Sequence, residues 1–109
     1  MIQRGNIFSD LRTAGAGEET VTLARRPGVV VERIVSTGQA TPQGYWYDQD
    51  WTEWVVVLSG RAELLIAGED QPTTLGPGDW IELPEHARHR VEWTDPSRPT
   101  VWLAVHAKD

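Results

Sequence analysis

Turn signals cut this chain into pieces that suit sheets and little else. Pro27-Gly28, Ser59-Gly60, Gly68-Glu69-Asp70, Gly76-Pro77-Gly78-Asp79 and Pro84 recur along it. Glycine supplies the positive φ of tight turns, and proline interrupts regular pairing. Between these signals lie short alternating or apolar runs: Thr20–Ala24, Val29–Val35, Tyr45–Tyr47, Trp51–Leu58, Arg61–Ala67, Thr73–Leu75, Trp80–Leu83, His89–Thr94 and Thr100–His106. Strands at this spacing predict an all-β sandwich or barrel. Long helices do not alternate with them, which argues against a parallel α/β sheet. A short helix or turn near Ile7–Arg12, capped by Asn6, is the one helical signal, and Thr13–Gly17 is too rich in glycine to extend it.

The chain has 109 residues, enough for one domain with its own core. It contains no cysteine. That excludes a disulfide framework, a thiolate metal site and a cysteine nucleophile. The formal net charge of -6 disfavours phosphate backbones and anionic lipid surfaces, so neither nucleic acid nor membrane is an expected partner. No run of 18 apolar residues and no secretory apolar core is present, which makes the cytoplasm the expected location.

The run Glu53–Leu58 is apolar on both faces: Val55 and Val57 on one, Trp54, Val56 and Leu58 on the other. Such a strand is covered on both sides. One cover is the interior. The other is a second layer or a partner subunit, and Trp80 and Trp102 would add to that outer surface, so a homodimer is expected. The competing reading has an N-terminal arm of the same chain covering the tryptophans.

Three groups of residues carry potential chemistry. Glu53 shares the face of Val55 and Val57, and an inward carboxylate needs a cation, a metal or hydrogen-bond donors. His86 and His89 lie in Pro84–Val91, where alternation turns His89, Val91 and Trp93 inward. Pairing Thr94 with Thr100 as a hairpin sets Val101, Leu103 and Val105 inward and His106 outward, whereas a one-residue slip brings His106 opposite His89. Before Glu53, the parity of Tyr47, Gln49 and Trp51 places a phenol, an amide and an indole on its face as a pocket wall.

These residues resemble the cupin family. Glu53-(x)6-Gly60 matches the second half of its first motif, G-(x)5-H-x-H-(x)3–4-E-(x)6-G. Gly78-(x)5-Pro84-x-His86-(x)2-His89 follows its second motif, G-(x)5-P-x-G-(x)2-H-(x)3-N, with His86 at the glycine and Trp93 at the asparagine. The stretches Trp46–Gln49, Glu53-Trp54, His89–Trp93 and Trp102–His106 resemble small single-domain bacterial cupins of the conserved-barrel type. The resemblance implies a double-stranded β-helix, or jelly-roll barrel, often dimeric. It divides the chain into an arm and first strand (1–28), a barrel (29–106) and a tail (107–109). It also implies a divalent metal on three histidines and one glutamate. Glu53 and His89 match two of those positions. The first motif's histidines are replaced by Tyr47 and Gln49, or by Trp46 and Asp48, depending on the gap. A repaired site would use Gln49, Glu53, His86 and His89 to hold Zn, Fe, Mn or Ni.

Three functions follow as expectations. One is an enzyme acting on a small polar molecule, by a metal or by Glu53 and His89 as general base and acid. A second is a non-catalytic barrel that binds or senses a sugar-like ligand against Tyr47, Trp51 and Trp93. The third is a barrel whose polar groups satisfy one another.

Overall fold

The computed structural model describes residues 1–11 and 17–109. Eight strands follow in order: β1 (Glu19–Arg26), β2 (Val29–Ser36), β3 (Thr52–Ser59), β4 (Ala62–Ile66), β5 (Thr73–Leu75), β6 (Trp80–Leu83), β7 (His89–Thr94) and β8 (Thr100–Ala107). Among the described residues there is no helix. Residues 7–10 form a turn in which Asn6 Oδ1 accepts from the Phe8 N–H (2.8 Å). Arg12 and all but Gly17 of the expected glycine-rich break Thr13–Gly17 lie outside the described residues.

The strands form two antiparallel sheets, a five-stranded one ordered β1-β2-β8-β3-β6 and a three-stranded one ordered β5-β4-β7. Both faces of a jelly roll have to be built this way, from strands that cross between layers and leave a shared interior. Tyr45–Tyr47 makes no full strand; Tyr47 forms one isolated bridge to His89.

The core fills one end of this interior. Val55, Val57, Ala62, Leu64, Leu75, Trp102 and Ala104 pack together, nearly all contributed by alternate residues of facing strands. The indole of Trp102 is fully inside and donates to Ser36 Oγ (3.0 Å), whose hydroxyl donates to Glu18 Oε2 (2.7 Å). Trp102 therefore belongs to the interior and not to the outer surface expected for it. On β8 the inward residues are Trp102, Ala104 and His106, because β8 pairs with β2 and β3.

The outer face of the large sheet carries Val31, Val35, Val56, Leu103, Val105, Trp54 and Trp80 by the same register. Residues 7–9 cross it at Arg33, whose guanidinium donates to Ile7 O (3.2 Å) and Ser9 O (2.6 Å) and pairs with Glu19 (3.0 Å). Trp80 remains 61% exposed, with its ring 6.0 Å from that of Trp54.

Candidate functional site

A cavity of about 190 Å³ opens at the other end of the interior, beyond the packed core. Its floor is apolar: Ile34, Val55, Leu64, Leu83, Val91 and Trp102. Its wall is polar, formed by Glu18, Glu32, Tyr47, Gln49, Glu53, His89 and His106, with Trp51 beside them.

Glu53 is at the centre of the polar wall. It begins β3 on the inward parity of Val55 and Val57, and its side chain is 13% exposed. His89 Nε2 lies 3.5 Å from Glu53 Oε1, and His106 Nδ1 lies 3.9 Å from Glu53 Oε2. A buried carboxylate thus has an imidazole nitrogen off each oxygen. His106 is the direct register partner of Glu53 across β3 and β8.

Each imidazole is anchored on its far side. His89 Nδ1–H donates to the Ala87 carbonyl (2.8 Å), and His106 Nε2–H donates to Glu32 Oε1 (3.0 Å). Both acceptors lack protons to give, so these bonds assign the tautomers. In the neutral rings, His89 Nε2 and His106 Nδ1 carry lone pairs toward Glu53. His106 Nδ1 is buried and has no hydrogen-bond partner. For His89, burial lowers the pKa, but the contact with Glu53, the Ala87 carbonyl and the Glu53 charge outweigh it and raise the value above the usual 6.5.

Aromatic rings back both histidines. Tyr47 brackets His89 with two backbone hydrogen bonds (2.8 and 3.1 Å), and their rings stack at 5.5 Å. Burial and neighbouring acidic groups push the Tyr47 phenol up. Trp51 lies 4.3 Å from the His106 ring. The preceding loop is held in place by Trp46, whose ring lies under the guanidiniums of Arg88 (5.5 Å) and Arg90 (5.9 Å).

Of the expected site residues, Tyr47, Gln49, Trp51, Glu53 and His89 surround one cavity. His86 and Trp93 do not. His86 sits at a left-handed backbone position (φ 63°) with its side chain 66% exposed, and it pairs with Asp48 Oδ1 at 2.7 Å. That contact, foremost, raises its pKa. The turn that suits glycine in the motif points this imidazole at solvent. Trp93 is turned outward by a bulge: Glu63 pairs with Trp93 but Leu64 with Val91, leaving Glu92 as the extra residue. Thr94, not Trp93, resumes the inward parity and is fully buried.

Two cavity residues escaped the sequence reading. His106 was set outward by a β7–β8 hairpin, or inward by a one-residue slip of it, and neither pairing forms; β7 pairs with β4, and β8 with β2 and β3. Glu32 lies between Val30 and Ile34 on the inward parity of Val29–Val35, so alternation alone marks it as a second inward carboxylate.

Among the described residues, no three His, Asp or Glu side chains form a group that could hold a metal ion. His86 of the expected set lies outside the cavity and pairs with Asp48 at the surface, which leaves Gln49, Glu53 and His89 of that set at the cavity.

Comparison with known proteins agrees with this architecture. A crystal structure from Ralstonia eutropha JMP134, named as a candidate mannose-6-phosphate isomerase, matches with a TM-score of 0.97 and 46% identity over 99% of this chain and 100% of that one. A cupin superfamily protein from Desulfitobacterium hafniense DCB-2 matches with a TM-score of 0.77 and 16% identity, over 100% of this chain and 94% of that one. A Cupin 2 conserved barrel domain protein from Salinispora arenicola CNS-205 gives a TM-score of 0.70 and 22% identity, over 99% and 89%. No curated protein matches the chain in sequence. The family model described as a cupin domain matches residues 31–106, from β2 through the histidine of β8, and the chain belongs to the cupin family.

Proposed function

We propose that the cavity binds a small hydroxylated molecule and that Glu53 and His89 exchange protons with it. The observation that carries this is the position of Glu53: a largely buried carboxylate flanked by His89 Nε2 at 3.5 Å and His106 Nδ1 at 3.9 Å. A carboxylate set inside the cavity, with an imidazole within reach, is placed to pass protons to and from a bound molecule. Glu53 would take a proton from a carbon next to a carbonyl. The imidazolium of His89 would donate its Nε2 proton to the carbonyl oxygen, giving an enediol, and the reverse transfers at the neighbouring carbon would complete an aldose–ketose isomerisation. His106, held by Glu32, stands beside Glu53 with its Nδ1 free to meet a ligand hydroxyl. The name of the Ralstonia relative, 46% identical, supports sugar isomerisation as the reaction class.

The test is hydrogen exchange. Full-length protein incubated with D-mannose in D2O should exchange the C2 proton, followed by proton NMR, and Glu53→Gln should abolish the exchange while leaving the far-ultraviolet circular dichroism unchanged. Binding of mannose without exchange would replace this reading with the non-catalytic binding barrel. Exchange at wild-type rate in Glu53→Gln would overturn the role of Glu53.

We also propose a homodimer formed through the outer face of the large sheet. Its support is the exposed Trp80 beside Trp54, on a face whose opposite end is already crossed by residues 7–9 at Arg33. A cytoplasmic location is part of this proposal; no helix among the described residues is long and apolar enough to cross a membrane.

A further inference from the structure

The cavity wall holds three carboxylates, Glu18, Glu32 and Glu53, and neither lysine nor arginine. A phosphorylated molecule would find no guanidinium or ammonium there. A second, open groove of about 450 Å³ has the opposite character: it is lined by Arg25, Arg26 and Lys108, without a carboxylate. The two spaces share a wall, because Trp51 and His106 line both. In a chain of net charge -6, this juxtaposition of an acidic cavity and a basic groove is a specific feature.

A bulge in β1 builds it. Thr22 pairs with Glu32, and Ala24, not Leu23, pairs with Val31, so Leu23 is the extra residue. Bulges re-aim the side chains that follow them. Unbroken alternation would put Arg25 on the outer face. With the bulge, Arg25 pairs with Val30, which pairs with His106, which pairs with Glu53. These residues form one row across the inner side of four strands. Two strand spacings, about 10 Å, separate Arg25 from His106 along that row.

The turn after β1 completes the groove. Gly28 has φ 76°, and a Cβ there would come within 2.7 Å of the Lys108 carbonyl oxygen. The Lys108 N–H donates to Gly28 O (2.8 Å), which docks the end of β8 on the turn. The Lys108 ammonium is committed to Asp50 (2.7 Å). The two arginines are not so committed: Arg26 donates only to the Arg25 carbonyl, and no carboxylate among the described residues pairs with either guanidinium.

We propose that Arg25 and Arg26 hold the phosphoryl group of a ligand whose hydroxylated body occupies the Glu53 cavity. The proposal rests on the cavity reading above and specifies its substrate class as phosphorylated sugars. Guanidiniums suit it, because their planar donors meet phosphate oxygens in pairs. His106 then forms the boundary between the phosphoryl end and the reacting end.

Calorimetric titration of the full chain with D-mannose 6-phosphate, D-mannose and inorganic phosphate tests this. Wild-type protein should bind mannose 6-phosphate at least about tenfold tighter than mannose, and the ratio should fall toward one in the Arg25→Gln, Arg26→Gln double variant. Raising salt from about 0.05 to about 0.3 M should reduce the same ratio. Equal affinity of wild-type protein for the two sugars, or an undiminished ratio in the double variant, overturns the proposal. Arginine-dependent binding of inorganic phosphate with no binding of either sugar would uphold the phosphoryl site and sink the cavity reading instead. Absence of binding by both inorganic phosphate and mannose 6-phosphate removes the phosphoryl site.

Discussion

Glu53 and His106 are register partners on β3 and β8, yet the nitrogen that His106 turns toward Glu53 makes no hydrogen bond. Glu32 is the reason. It accepts the Nε2 proton of His106, so the neutral ring faces Glu53 with a lone pair, an acceptor toward an acceptor. His89 repeats the arrangement from the other side, with its Nδ1 proton bound to Ala87. The three groups share a deficit of protons, which a ligand hydroxyl or a bound proton relieves. Chemistry and stability are therefore coupled at Glu53.

The coupling predicts a pH dependence of stability. The folded-state pKa of His89 is raised above the usual 6.5, with burial opposing and the Glu53 and Ala87 contacts prevailing. A raised histidine contributes stability that is full below the unfolded value and is lost as pH climbs through the folded one. The unfolding midpoint of wild-type protein should fall as pH rises above the usual histidine value of 6.5. Glu53→Gln should flatten that fall, measured by thermal unfolding of both proteins at rising pH. His86 contributes the same sign through Asp48, and it remains in both proteins, so the difference between the two curves isolates Glu53. Parallel curves would show that Glu53 does not hold the His89 proton.

Much of this site was readable from alternation, and the failures have two physical causes. Glu53 and His89 lie on regular strands beside valines, so parity alone turned them inward. His106 was lost because strands adjacent in sequence commonly pair, and β7 and β8 do not. A jelly roll sends them to different sheets, and only the whole topology shows that. Trp93 was lost to a bulge, which changes parity without any mark in the strand's composition. His86 was misplaced by spacing: it occupies the motif position of a glycine and inherits the glycine's left-handed turn.

Metal removal should leave the protein's behaviour unchanged. Among the described residues no group of three His, Asp or Glu side chains is placed to hold a metal ion, and His86 of the expected set points to solvent. Protein dialysed against EDTA should keep its unfolding midpoint and its exchange of the mannose C2 proton. Stoichiometric Zn, Fe, Mn or Ni in the purified protein, lost together with exchange on dialysis and restored by repletion, would show instead that the cluster closes around a metal.

The bond from Trp102 Nε1 to Ser36 Oγ should matter more than its single hydrogen bond suggests. Both residues are buried, and the chain continues to Glu18 at the cavity. Ser36→Ala leaves an indole N–H buried without an acceptor, which costs about 1–3 kcal/mol. Trp102→Phe removes donor and demand together, so in that background Ser36→Ala should cost about 1 kcal/mol less. Urea unfolding of the four proteins in the cycle measures this coupling, and additive effects would show that the bond adds nothing to stability.

The outer face of the large sheet predicts the oligomeric state. Trp80 is 61% exposed and lies beside Trp54, in register with Val56, Leu103 and Val105, while Arg33 fastens residues 7–9 over the far end alone. An apolar strip left by its own arm is a surface that a second copy can bury. Sedimentation at micromolar concentration should give a dimer. Trp80→Ser should shift it to a monomer with unchanged secondary structure, because the exposed indole takes no part in the core. A monomer for the wild-type chain, or a dimer insensitive to Trp80→Ser and to Trp54→Ser, would place the subunit contact elsewhere or remove it.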